Sequence, residues 1–162
     1  MLWVVRAGQE DKYIDTFLEN KRIYISWAGF NASLLECSDR SDFRMIVEQE
    51  MNTTNRTSIS NWSGQLYTFT YEMKCGDYVI IPVKRSRTYN LGKIVGEYEF
   101  SSDSVPHHSR QIELLEIDIP REVFSQKNQY SLAAYRTIFK ITDDAIFDEI
   151  KNGRRKKNET AI

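Results

Sequence analysis

Asn61-Trp62-Ser63-Gly64-Gln65-Leu66-Tyr67, Met73-Lys74-Cys75-Gly76-Asp77 and Leu91-Gly92-Lys93-Ile94-Val95-Gly96-Glu97-Tyr98 set the fold expectation for this chain. Around the first, Ile59, Trp62, Leu66, Phe69 and Met73 recur at helical steps, which predicts an amphipathic helix over 58–73. Gly64 inside that helix costs about 1 kcal/mol relative to alanine, so it is expected to mark a close approach to the backbone. Gly76-Asp77 then turns the chain into an apolar strand at 78–83, and 90–100 reads as its returning partner. Lys84-Arg85-Ser86-Arg87 between them forms a basic hairpin tip.

Working outward, 3–6 and 22–27 read as strands enclosing a short helix over 10–20, a β-α-β opening that brings Trp27 to a strand end. Phe43, Ile46, Val47 and Met51 share one face of a further helix over 41–51, with Ser38 or Ser41 as its cap. The polar stretch 101–109, with Pro106 and both histidines, reads as an exposed loop. A strand at 110–119, a short helix near 132–135, a strand at 137–141 and a last helix from Asp143 complete the core. The expected class is α+β, a small curved sheet or partial β-barrel with peripheral helices. The domain is expected to span 1–142, with 143–162 as a C-terminal helix and basic tail or linker containing Arg154 to Lys157.

The 162 residues, 41% hydrophobic, suffice for one core, and a formal net charge of -1 gives no global sign of a nucleic-acid or membrane partner. Cys37 and Cys75 are far apart and fit neither a zinc site nor a disulfide framework, so a reducing cytoplasm is expected. No apolar run approaches the roughly 18 residues of a membrane span. Phosphate-binding glycine loops and a Gly-x-Ser-x-Gly elbow are absent, and no cofactor or catalytic group is expected.

Aromatic residues at element ends carry the chemistry. An extruded base needs flat apolar walls for stacking and a few polar groups to read its edge. Trp27 and Trp62 are the candidate walls, with Ser26, Asn61 and Gln65 beside them, and Tyr67, Tyr89 and Phe30 as possible third aromatics. Lys84, Arg85, Arg87, Lys93 and Arg110 are the candidate phosphate contacts, since phosphate contacts dominate nucleic-acid affinity. Arg6 is expected in a strand-end salt bridge. A competing reading uses Glu97, Glu113 and His107 or His108 as a small metal-dependent nuclease site.

Trp62-Ser63-Gly64, Met73-Lys74-x-Gly76-Asp77 and Leu91-Gly92-Lys93-Ile94-Val95-Gly96-Glu97 resemble the Trp-x-Gly, Met-x-x-Gly-Asp and Gly-rich strand elements of EVE domains. Ile25-Ser26-Trp27-Ala28 is similar to the YTH strand whose tryptophan contributes to an aromatic cage. Over roughly 2–141 the pattern resembles N-terminal modules of Mrr-type and McrB-type modification-dependent restriction proteins. The resemblance implies a PUA-like barrel that flips and recognises a modified base, often a methylated cytosine such as 5-methylcytosine in double-stranded DNA. A nuclease or AAA+ translocase domain or subunit would be its partner in a defence system, and modified RNA is the alternative ligand. Gln65 stands where many EVE domains carry an arginine.

Overall fold

A computed structural model describes residues 1–27, 29–134 and 136–160, the last seven as backbone only. Its strands are β1 (Leu2–Val5), β2 (Arg22–Ile25), β3 (Tyr78–Val83), β4 (Thr88–Ile94), β5 (Glu99–Phe100), β6 (His108–Pro120) and β7 (Ile138–Ile141). The helices are α1 (Ile14–Asn20), α2 (Arg40–Glu50), α3 (Arg56–Tyr67), α4 (Gln126–Leu132) and α5 (Ala145–Thr160). The strands join in the order β2-β6-β4-β3-β1-β7, with β5 against β6. Among the described residues only β1 and β3 pair in parallel.

The long β6 explains the curl. Its start pairs with β2 and β5 while its remainder pairs with β4, across register shifts at Tyr89/Leu91 and Leu91/Gly92. Such bulges bend a strand and increase its twist. The result is a curled mixed sheet forming a half-barrel, with β2 and β7 at its two margins.

Each face of the sheet buries its own cluster. Trp3, Val5, Val79, Ile81, Ile94 and Ile112 pack with Phe17, Phe43, Ile59, Leu66 and Phe69 from α1, α2, α3 and the π-helical turn Thr68–Glu72 that extends α3. Leu2, Val4, Ile80, Tyr89, Leu91 and Ile119 pack with Phe124, Leu132, Ile146 and Ile150. Burying one such side chain stabilises by about 1.5–3 kcal/mol. The beginning of α5 is therefore core, and only its later part can be a tail; the side chains of Arg154 to Lys157 lie outside the described residues. Tyr135, expected near a helix, is also outside them, and the helix itself sits earlier, at α4.

Some local expectations shift. The cap of α2 is Asp39, whose carboxylate accepts the Asp42 N–H while the Asp42 side chain accepts at the cap, a reciprocal box. The 101–109 loop ends earlier than expected, because His108 already opens β6. Gly64 marks no close approach, since a Cβ built there meets nothing within 4 Å.

Arg110 is the largest fully buried side chain and the main correction to the expected phosphate contacts. Only 1% exposed, its guanidinium donates from Nε to Gly96 O at 3.0 Å and from one terminal nitrogen to Phe69 O at 3.1 Å and to Met73 O. It fastens β6 to the π turn and to the bend after β4. Replacing Arg110 with Met leaves three carbonyls without their donor, and should destabilise by on the order of 3 kcal/mol or more. Lys should recover only part of that loss, because one ammonium cannot reproduce the fork; urea midpoints at constant m measure both.

Candidate functional site

Residues 26–27 leave β2 at the sheet margin. A Cβ built on Gly8, at φ +84, would stand 3.3 Å from Ser26 Oγ and 3.0 Å from the Tyr13 ring, so glycine there lets the chain after β1 pass close to Ser26. Trp27 is partly buried against the first core cluster, and its indole N–H donates to Thr137 Oγ1 at 3.2 Å. One margin of the half-barrel is thereby tied to the other.

Trp62 stands on α3, whose first turn is capped by Asn55 accepting the Ser58 N–H at 3.0 Å. Its ring also packs partly buried on the first cluster. One turn later, the Gln65 side-chain oxygen accepts the buried Ile138 N–H at 3.0 Å, and the Gln65 amide donates to Asn61 Oδ1 at 3.3 Å. Thr137 and Ile138 are successive, with Cα atoms about 3.8 Å apart. The loop carrying Trp27 and the helical turn carrying Trp62 are therefore anchored at neighbouring positions of one margin. Among the described residues the Trp62 indole N–H has no hydrogen-bond partner, whereas that of Trp27 is occupied.

Several expected members stand elsewhere or do other work. Gln65 is buried, and its acceptor is spent on Ile138, so it supports the backbone instead of presenting a free edge-reading oxygen. Tyr89 lies in the second cluster, edge-on to Phe124 at 5.3 Å, on the sheet face away from both tryptophans. Tyr67 packs edge-on to Phe43 at 5.6 Å beneath the Arg40 guanidinium, against α2. Phe30 is buried at 2% exposure beside His108. Asn61 remains exposed and Ser26 half-buried at the margin.

The basic set divides. Lys84, Arg85 and Arg87 are exposed at the β3–β4 tip. Asp11, missed by the sequence reading, grips that tip by accepting the Lys84 and Arg85 backbone N–H groups at 3.0 Å each, and it lies 3.5 Å from the Arg85 guanidinium. Asp11 follows Gly8 by three residues, so the tip is held within about 11 Å of chain from the glycine that abuts Ser26. Lys93 is at the far end of β4, opposite Glu113, roughly 17 Å from Thr88, and does not join this patch. Arg110 is buried, as described above. Arg6 forms no salt bridge among the described residues; it donates instead to the carbonyls of Arg136 and Ala134 at 3.0 and 2.7 Å, holding the chain just before Thr137.

The histidines are not an exposed pair. His108 is 1% exposed; Tyr98 Oη accepts the Leu34 N–H at 3.1 Å and lies 2.6 Å from His108 Nδ1, and His108 Nε2 lies 3.2 Å from Phe30 O. One proton arrangement satisfies every group: Tyr98 donates to Nδ1, and Nε2–H donates to Phe30. The neutral imidazole thus clasps the 30–34 segment that follows Trp27. Burial pushes its pKa down to about 4 and that of Tyr98 up to about 12. Among the described residues no group of three or more His, Cys, Asp or Glu is gathered as a metal site, and no helix is long and apolar enough to cross a membrane.

A family described as Domain of unknown function (DUF8426) matches residues 3–142. The chain belongs to this family. The match takes in Trp27, Trp62, Asp11, His108, Arg110 and Thr137 together. No curated protein matches the chain at a significant level.

The His108 clasp has a pH signature in this DUF8426 domain. Its folded pKa lies below the ordinary 6.5, so the unfolded chain takes up a proton that the folded one refuses. The stability this gives is complete above pH 6.5, declines as pH falls, and is gone below about 4. Across that window the unaltered protein should lose roughly 3 kcal/mol relative to His108→Gln, read from urea unfolding of both at several pH values.

Proposed function

We propose that this domain is a PUA-like reader of the EVE and YTH kind: a non-catalytic, DNA-binding specificity module of a modification-dependent restriction or defence system. It takes a flipped modified base, a modified cytosine such as 5-methylcytosine, between Trp27 and Trp62. Asn61 and Ser26 lie beside the walls, and the unpartnered Trp62 N–H is a donor for the base edge or its sugar. Lys84, Arg85 and Arg87 hold the phosphates of the extruded strand. A nuclease or AAA+ translocase, fused or separate, acts on the captured site. Two cysteines without a disulfide, Cys37 buried and Cys75 exposed, suit the reducing cytoplasm in which such a system works.

One observation carries the reading. Thr137 and Ile138, adjacent in sequence, receive the Trp27 indole N–H and the Gln65 side chain of the Trp62-bearing helix, so two partly buried indoles belong to segments fixed at one margin of the half-barrel. Partly exposed aromatics on a rigid scaffold are what base stacking requires. The Asp11 grip brings a solvent-facing cationic tip to the segment beside that margin.

Duplexes that differ only at one cytosine test the reading. Trp62→Ala and Trp27→Ala should each weaken binding of the modified duplex by about 5- to 150-fold, the worth of one stacked base. Lys84→Gln with Arg87→Gln should weaken modified and unmodified duplexes alike and flatten the salt dependence. Equal affinity for both duplexes in the unaltered protein would sink the proposal. Tighter binding of a methylated RNA of the same sequence at equal salt would move it to RNA.

A further inference from the structure

Gly64 opens a second feature, away from the tryptophans. Arg40 and Arg44 stand one turn apart on α2, and Ser60, Ser63 and Gly64 stand at matching steps on α3. Together these five residues line a small open pocket of about 40 Å3 between the two helices. A single water needs about 10–15 Å3 measured in this way, so the space suits a few waters or one small tetrahedral ion. The lining is mostly polar.

The lining residues carry donors that an anion could use. The Arg40 guanidinium is held over the Tyr67 ring at 4.3 Å and lies 3.7 Å from Glu72, a pair exposed enough to exchange partners. Arg44 has no ion-pair partner among the described residues. Ser63 Oγ donates to Ser60 O at a long 3.4 Å, and Ser60 is exposed with its own hydroxyl uncommitted among the described residues. Two arginines and two serines lining one cavity are a combination suited to a tetrahedral oxyanion. Glycine at 64 keeps the floor open: a Cβ there meets nothing within 4 Å, while a larger side chain would occupy the space.

We propose that Arg40, Arg44 and Ser60, over the floor left open by Gly64, form a binding site for a phosphate-type oxyanion. Resting on the nucleic-acid reading above, its source is a backbone phosphodiester of the bound duplex, lying against α2 and α3 apart from the basic β3–β4 tip; free inorganic phosphate is the other source of the same chemistry.

The experiment has two arms on the same proteins: unaltered, Arg40→Gln/Arg44→Gln, Gly64→Leu and Gly64→Ala. In the first, inorganic phosphate is titrated and the amide resonances of Ser60, Ser63 and Gly64 are followed by NMR. In the second, anisotropy measures affinity for modified and unmodified duplexes across salt. A saturating shift in the unaltered protein and Gly64→Ala, lost in the double variant and in Gly64→Leu, establishes the oxyanion site. Equal weakening of both duplexes, with the salt slope reduced by roughly 1–2, assigns it to backbone phosphate. A phosphate response with duplex binding unchanged assigns it to the free ion. If the unaltered protein binds no duplex at all, the base-reading proposal fails while the phosphate arm still decides this site. Absence of any phosphate response together with unchanged duplex binding overturns it. Gly64→Leu removes no charge, and its resonance dispersion reports folding, so loss of binding there cannot be mistaken for unfolding or for a general loss of positive field.

Discussion

An unclosed sheet has to satisfy its margin. β7 pairs with β1 on one side only, so the Ile138 N–H points away from the ladder into the core and needs an acceptor from elsewhere. A buried donor left without one costs about 1–3 kcal/mol. Gln65 on α3 supplies it, which fixes the helix against β7, and Trp27 reaches Thr137 beside it, which fixes the end of β2. The placement of both candidate walls follows from this requirement. A fully closed barrel would have satisfied Ile138 with a strand.

Other buried or half-buried polar groups act in the same manner, each joining a piece of irregular chain to the regular sheet. Arg110 takes the carbonyls of the π turn, Arg6 those before β7, His108 that of Phe30, and Asp11 the N–H groups of the β3–β4 tip. Irregular segments expose backbone groups that no ladder pairs, so a side chain of matching chemistry must be spent on each. These four residues are charged or ionisable, and none of them faces solvent as its residue type suggests. They hold the segments around the margin in place without lining it.

This accounts for what the sequence disclosed and what it concealed. Hydrophobic periodicity located β3 and α2 to within a residue, and α3 to within two once the π turn Thr68–Glu72 that extends it is included, since their faces are buried by simple apolar contact. The α+β class and the partial barrel followed from the same signal. The site was only half legible: Trp27 follows β2 and the basic tip joins β3 to β4 as turn chemistry indicated, but Trp62 stands mid-helix and not at an element end, and Arg110, Lys93 and Tyr89 lie apart from them. Strand alternation carried the missing information. Arg110 shares its side of β6 with His108 and Ile112, all buried, and Tyr89 shares its side of β4 with Leu91, in the second cluster. Asp11 and Thr137 gave no local signal, because their partners lie 73 and 110 residues away in the chain.

The two indoles are not equivalent, and the difference bears on how a planar ligand would be held. Trp27 is bonded through its N–H and backed by the segment that His108 clasps, so its ring begins in one place. Trp62 projects from a helix fixed by Gln65, yet its own N–H is uncommitted among the described residues. Immobilising a rotamer-rich side chain on binding costs about 0.5–1.5 kcal/mol. A site with one wall already fixed and the other able to settle meets that cost once instead of twice. It also leaves a single indole donor to recognise what enters. In the proposed reading, Trp27 supplies the surface and Trp62 the discrimination.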